Sequence, residues 1–328
     1  MILVTGAAGF IGFHVAKRLL SDGHEVVGVD NLNSYYDVAL KMARLEQISQ
    51  FPNFRFERVD IADRDAFPRV FDNYGIERVI HLAAQAGVRY SIEHPHDYVD
   101  ANLIGFVNVL EACRYARVKH LVFASSSSVY GNNSKVPFST DDNVDHPISL
   151  YAATKKANEL IAHTYSHLYD LKITGLRFFT VYGPWGRPDM AYFSFTKAIM
   201  EGRPIRLFNH GNSERDFTYI DDIVEGIVRI LGKPPKGDTT TPPYRIFNIG
   251  NNHPEALLRF VEVLEESIGR KARTVLADAQ PGDVTRTYAD IRPICEAVGF
   301  QPSINIEEGL RRFVNWYKSY YRDNRGLE

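Results

Sequence analysis

Cysteine is almost missing from this chain, with two in 328 residues. Cys113 and Cys295 sit far apart in helix-like stretches with no CxxC or metal-ligand spacing, so two reduced thiols and no metal site are expected. Net charge is also lacking. A formal balance of -2 gives no bulk electrostatic reason to bind nucleic acid or an anionic membrane. No stretch reaches the roughly eighteen apolar residues that suggest a membrane span. Met1-Ile-Leu-Val runs straight into Thr5-Gly6 without a basic leader or cleavage site, so a cytoplasmic location is expected. Internal repeats and low-complexity tracts are absent too, and the one linker-like stretch, 232–243, reads as an exposed loop.

What is present is a 45% hydrophobic chain, enough for one large domain or two moderate ones. Met1–Val4 is a short apolar strand that leads through Thr5-Gly6-Ala-Ala-Gly9-Phe10-Ile11-Gly12 into a helical pattern at Val15, Leu19 and Leu20. Strand, glycine turn and helix make the dinucleotide-binding opening, here spaced GxxGxxG. Glycine lets the backbone approach a pyrophosphate, whose charge the amides of a helix N-terminus stabilise. The next strand, 25–30, ends in Asp30, where a carboxylate reads a ribose 2′-hydroxyl and repels a 2′-phosphate. No arginine follows in Asn31-Leu32-Asn33, which favours NAD over NADP.

Further strands are expected at 54–60, ending in Asp60 and Ile61 at the adenine edge, and at 79–84, whose small Ala83 and Ala84 let a cofactor lie close. His81 and Asp60 read equally well as buried or capping residues. A long helix over Tyr98–Tyr115, a strand over 120–124 and another over 171–177 continue the alternation. The expected fold is therefore α/β, a Rossmann-type, doubly wound, mostly parallel sheet with a smaller C-terminal substrate-binding lobe. Residues 1–180 form the first part, joined by a returning strand near 244–249, and 181–328 mainly form the second. Within that second part the pattern gives a helix at 192–201, strands at 205–208 and 215–219, and helices at 255–268 and 306–320.

The serine run Ser125–Ser128 falls at the carboxyl end of the 120–124 strand, where parallel sheets bind ligands. On the next helix, Tyr151 and Lys155 share one face at i,i+4 spacing. A phenol titrates near pH ~10 unperturbed, and an adjacent fixed cation lowers that value. The pair reads as a tuned proton acceptor, with a serine hydroxyl beside it.

Gly6/Gly9/Gly12, Asp30, the serine run and Tyr151/Lys155 together resemble the extended short-chain dehydrogenase/reductase family, over nearly the whole chain. Within it the chain looks like the nucleotide-sugar 4-epimerases. The strings Val88-Arg-Tyr-Ser91, Thr180–Met190 and Arg215–Asp222 are similar to those of UDP-glucuronate 4-epimerases. That resemblance implies bound NAD, a UDP-sugar substrate and a homodimer paired through the Tyr98–Tyr115 and Tyr151–Tyr169 helices. It implies 4-epimerisation of UDP-glucuronate to UDP-galacturonate through a 4-keto sugar. By position, Tyr151 is the base, Lys155 its partner and a ribose ligand, and Ser126 or Ser128 the sugar-holding hydroxyl. Phe178 joins the cofactor set. Arg89 and Arg215 fall to the substrate, with Phe208 near uracil, Asp283 at a ribose and Arg286 as a second phosphate ligand or a solvated arginine.

Dehydratases of this family carry an Asp–Glu pair just before the Val-Tyr-Gly equivalent. Serines stand there in this chain, which disfavours elimination of water. Galactose epimerases have asparagine at Thr180, and Arg187 offers what a neutral sugar does not need, a two-pronged grip on a carboxylate. The rivals are a UDP-galactose epimerase, a UDP-glucuronate decarboxylase, and a non-catalytic NAD-sensing interaction protein; intact Tyr151 and Lys155 argue against the last.

Overall fold

The structure is a computed structural model describing residues 1–279 and 284–323. Its strands, in order, are β1 (Ile2–Thr5), β2 (Val26–Val29), β3 (Phe54–Glu57), β4 (Arg78–His81), β5 (His120–Ser126), β6 (Ile173–Phe178), β7 (Thr180–Tyr182), β8 (Ile205–Leu207), β9 (Glu214–Tyr219), β10 (Tyr244–Ile249), β11 (Pro254–Ala256) and β12 (Thr274–Leu276). Seven of them make one parallel sheet in the order β10-β6-β5-β4-β1-β2-β3. The order reverses between β1 and β4, and ligands of such sheets bind at the carboxyl ends of the strands at that switch point.

Strand alternation sorts the core into two layers. Leu3, Val27, Val79, Leu121 and Phe123 pack with Phe67, Phe106, Leu110 and Ala162 of the helices Ala66–Asn73, Gly105–Tyr115 and Leu150–Tyr169. Val4, Val26, Ile80 and Val122 belong with Phe13, Leu19, Leu45, Ile223 and Ile227 of the helices Phe10–Ser21, Val38–Ser49 and Ile220–Leu231. Helices thus cover both faces, and β1 and β2 are buried along their whole length, as a doubly covered parallel sheet requires. Two small sheets, β11-β9-β7 and β12-β8, lie past residue 180. β10 returns to the large sheet beside β6, with Tyr244 opposite Ile173 and Ile249 opposite Phe178.

Boundaries differ from the sequence expectation where side chains take over backbone hydrogen bonds. β4 stops at His81 because the Ala83 amide donates to Thr5 Oγ1 at 3.1 Å instead of continuing the ladder. The helix expected over Tyr98–Tyr115 is broken by a π-turn at Val99–Ile104. Asn102 in that turn accepts from Gln85 N at 2.8 Å and donates to Thr154 Oγ1 at 3.1 Å. It thereby ties the end of β4 to the helix carrying Tyr151; π-turns recur at functional sites. Among the described residues, no helix is long and apolar enough to cross a membrane.

Candidate active site

The glycine turn forms the floor of the site. Gly6 has φ +72°, and a Cβ there would lie 2.8 Å from Ala83 N, while one on Gly12 would collide with the Gly6 carbonyl oxygen. The helix starting at Phe10 has no side-chain cap at Gly9, which leaves its first amides for an anion. Asp30 closes β2, accepting from Ala8 N at 3.2 Å and Leu32 N at 2.8 Å. Asn31 donates to Asp60 at 2.9 Å, and Asp60 also caps Ala62 N. His81 is buried against Thr5 Oγ1 at 2.8 Å. Burial, and then the Lys155 charge, pull it down to about 3, so it is a neutral structural imidazole.

Ser149 caps the helix Leu150–Tyr169 by accepting from Ala152 N at 3.1 Å, which sets Tyr151 in the first turn. Lys155, one turn on, is buried and donates to the Ala124 carbonyl of β5 at 2.9 Å. Burial draws its ammonium down to about 8. The sequence reading has Lys155 lowering the Tyr151 phenol, whereas the structure gives a different balance. Burial pushes the phenol up, and the influences pulling it down are the Ser126 hydroxyl and the Arg187 charge. The lysine is committed to a backbone carbonyl, while Ser126 reaches the phenol. Ser126 Oγ also donates to Ser128 Oγ at 3.2 Å and accepts from Ser128 N at 3.2 Å, so the two serines form one unit.

Behind them, Ser125 donates to Glu159 Oε1 at 2.6 Å. The Arg177 guanidinium grips Glu159 and donates to Tyr130 Oη at 3.0 Å, which in turn donates to Asn248 Oδ1 at 2.6 Å. This buried chain joins β5, β6, β10 and the helix of Tyr151.

Arg187 approaches from a loop whose backbone is pinned by residues of the helices Phe10–Ser21 and Val38–Ser49. His14 Nε2 bonds the Pro184 carbonyl oxygen at 2.9 Å. Arg44, fully buried on the helix Val38–Ser49, donates to the carbonyl oxygens of Trp185 (2.6 Å), Gly186 (3.1 Å) and Ala8 (2.9 Å). The Arg187 fork itself pairs with Asp189, Nε to Oδ1 at 3.0 Å and Nη2 to Oδ2 at 2.5 Å. Tyr35 Oη donates to Asp189 Oδ2 at 3.2 Å.

One cavity of about 920 Å³ collects these groups. Its wall holds every cofactor residue named from sequence, together with Arg89, Ser126, Ser128, Tyr151, Thr180, Arg187, Phe208 and Arg215. Arg286 stands apart: roughly half exposed, it pairs with Glu214 at 2.7 Å and is not in the wall. Of the two readings given for Arg286, this placement matches the solvated arginine. Asp283 lies outside the described residues. Arg89 stacks its guanidinium over the Phe208 ring at 4.6 Å, and Arg215 donates to the Glu214 and Thr285 carbonyl oxygens at 2.9 and 3.1 Å. Sequence reasoning missed Tyr35, Gln85 and Asp189, which also face the cavity. Asp189 was within reach, since it stands two residues past Arg187 in a string already singled out.

Sequence comparison agrees with the class that this geometry describes: residues 2–250 match the NAD dependent epimerase/dehydratase family, and the chain belongs to it. Its cofactor is NAD, and the cradle that any Cβ would fill fits one. The chain is 49% identical over 332 residues to a probable UDP-glucuronate 4-epimerase of Rhizobium meliloti, an alignment covering 98% of this chain and 97% of that one. Its fold matches UDP-glucuronic acid 4-epimerase from Bacillus cereus, solved with UDP-glucuronic acid and NAD, at TM-score 0.89 and 33% identity over 98% of this chain and 99% of that one. UDP-glucose 4-epimerase from Thermotoga maritima, solved with UDP-glucose, matches at TM-score 0.87 and 32% identity over 98% and 99%.

Proposed function

We propose that this enzyme epimerises UDP-glucuronate at C4 to UDP-galacturonate, without decarboxylation. Gly6, Gly9, Phe10, Ile11 and Gly12 would face the pyrophosphate of NAD, Asp30 and Asn31 the ribose, and Asp60 and Ile61 the adenine. Ala83, Ala84, Lys155 and Phe178 would line the rest of its path. When bound, NAD supplies the acceptor that takes the C4 hydrogen of the sugar and later returns it. Tyr151 takes the proton of the 4-hydroxyl, with Ser126 holding that hydroxyl, and gives it back after the 4-keto sugar has turned its other face. Arg89, Phe208 and Arg215 hold the nucleotide end. In this reading residues 1–180 with β10 carry the cofactor and 181–328 most of the sugar nucleotide.

The observation that carries the substrate assignment is an arginine, Arg187, in the same cavity wall as Thr180, Ser126 and Tyr151. A 4-ketouronic acid is a β-keto acid. When its carboxylate bond stands perpendicular to the carbonyl plane, the C5–C6 bond breaks, CO₂ leaves and the electron pair passes into the carbonyl as an enolate. A guanidinium that fixes the carboxylate in another orientation blocks that route. The test is product analysis after incubation with UDP-glucuronate and, separately, UDP-glucose. The reading expects UDP-galacturonate from the first at much higher kcat/KM, and for R187A either loss of productive binding or a larger UDP-pentose share. Preference for UDP-glucose, or an unchanged R187A enzyme, would sink it.

The chain acts as a homodimer in a cytoplasmic setting in this proposal. Support comes from apolar side chains left exposed on the two helices named for pairing: Val99, Tyr115, Leu160, Leu168 and Tyr169.

A further inference from the structure

Because His14 and Arg44 hold the backbone of 184–186, the part of the Arg187 loop left to be aimed is the arginine side chain. Asp189 takes hold of it along one edge, through Nε and Nη2. A planar guanidinium has a second edge, Nη1 with Nη2, and among the described residues no hydrogen bond uses Nη1. Tyr35, coming from the cofactor half after β2, donates to the same Asp189 carboxylate, and the Arg187 guanidinium lies 6.0 Å from the Tyr35 ring centre. Burial pushes the Asp189 carboxyl up, but the Arg187 charge outweighs it and the carboxylate form is favoured. Both partners are less than one-third exposed, which keeps solvent from screening the pair away.

We propose that Asp189, braced by Tyr35, is a positioning residue that fixes Arg187 by its Nε edge and so presents the Nη1 edge to the carboxylate of the sugar. The inference rests on the assignment of Arg187 to that carboxylate. Two roles for Asp189 are physically open, and they oppose each other. As a competitor, Asp189 occupies the guanidinium until the substrate displaces it, and its removal strengthens substrate binding. As a positioning group, it leaves the second edge available and removes the freedom of a long side chain to swing. The observed pairing uses only one edge, and Tyr35 donates to the Asp189 Oδ2 that Nη2 also reaches, a second hold on that carboxylate, which favours positioning. Its consequence falls on product fidelity. A held fork keeps the carboxylate out of the perpendicular orientation, and a swinging one does not.

The test is D189N, a change that keeps side-chain size, assayed with UDP-glucuronate alongside Y35F and R187A. The partition between UDP-galacturonate and UDP-pentose is the readout, because a general loss of folded enzyme lowers both products and leaves their ratio alone. Positioning predicts that D189N raises the UDP-pentose share on the order of tenfold, as expected when a reacting group loses its alignment, and that Y35F shifts it the same way by less. A D189N enzyme that binds UDP-glucuronate more tightly and still releases no pentose makes Asp189 a competitor and overturns the proposal. So does an unchanged ratio in D189N when R187A alters it, which leaves the Arg187 assignment standing. If R187A changes nothing either, the assignment falls and the proposal with it.

Discussion

Arg177 holds Glu159 by two parallel hydrogen bonds, Nε to Oε1 at 2.8 Å and Nη2 to Oε2 at 2.9 Å, with both side chains almost wholly buried. The pair sits between β6 and the helix of Tyr151, and Glu159 also receives the Ser125 hydroxyl. Breaking such a pair strands a charge away from water. E159Q is expected to lower unfolding free energy by about 3 kcal/mol, read from the urea midpoint; a midpoint unchanged from the parent enzyme would show that the pair is dispensable.

The pH profile of turnover distinguishes the two serines. Of the two neighbours that pull the Tyr151 phenol down against burial, the Ser126 hydroxyl acts more strongly than the Arg187 charge. Removing it lets that phenol rise, so S126A moves the acidic limb of the kcat profile to higher pH, since the phenolate is the active form and a higher pKa demands a higher pH to form it. S126A also lowers kcat about a hundredfold. S128A keeps the limb in place, and an equal displacement in S128A would contradict this assignment.

Gly6 combines a left-handed backbone with a close approach to Ala83. G6A costs about 1–2 kcal/mol in backbone strain alone and forces the turn away from β4. Purified G6A protein is expected to carry much less NAD than the parent, measured by absorbance after acid release. Full NAD occupancy would show that the turn does not shape the cofactor site.

The helix Leu150–Tyr169 exposes Leu160 at 58% and Leu168 at 60%. On the proposed dimer, the parent protein sediments as a dimer, and charging both, as L160E with L168E, is expected to give a monomer while leaving the far-UV spectrum intact. A double variant that sediments as a dimer would move the interface elsewhere.

Much of the site was legible because its chemistry is local in sequence. A turn needing glycine, a carboxylate at a strand end and a tyrosine–lysine pair at helical spacing can each be read within a dozen residues or so. Three covering helices were not read. In Val38–Ser49 the buried set includes Lys41 and Arg44, so apolar periodicity hides a face that is buried but charged. Ile220–Leu231 is different: Ile220, Ile223, Val224, Ile227 and Ile230 recur at helical spacing and are all buried, a signal that was present and passed over for the motif beside it. Ala66–Asn73 places Phe67, Val70 and Phe71 at helical spacing against the core, but it runs for only eight residues with Pro68 inside it, which leaves a short apolar pattern that sequence alone does not assign to a helix. The Arg44 clamp, the Tyr35 contact to Asp189 and the balance at Tyr151 depend on distances between segments up to 154 residues apart in sequence. No local pattern encodes them.

The central claim is that the sugar's own C4 hydrogen is removed and given back at the same carbon while the carboxylate survives. UDP-glucuronate deuterated at C4, incubated with the purified protein in ordinary water, tests it directly by mass spectrometry and NMR of the products. The account predicts UDP-galacturonate that keeps the deuterium at C4 and gains none of the solvent's hydrogen there. Loss of the label to solvent, or UDP-pentose as the main product, would contradict it.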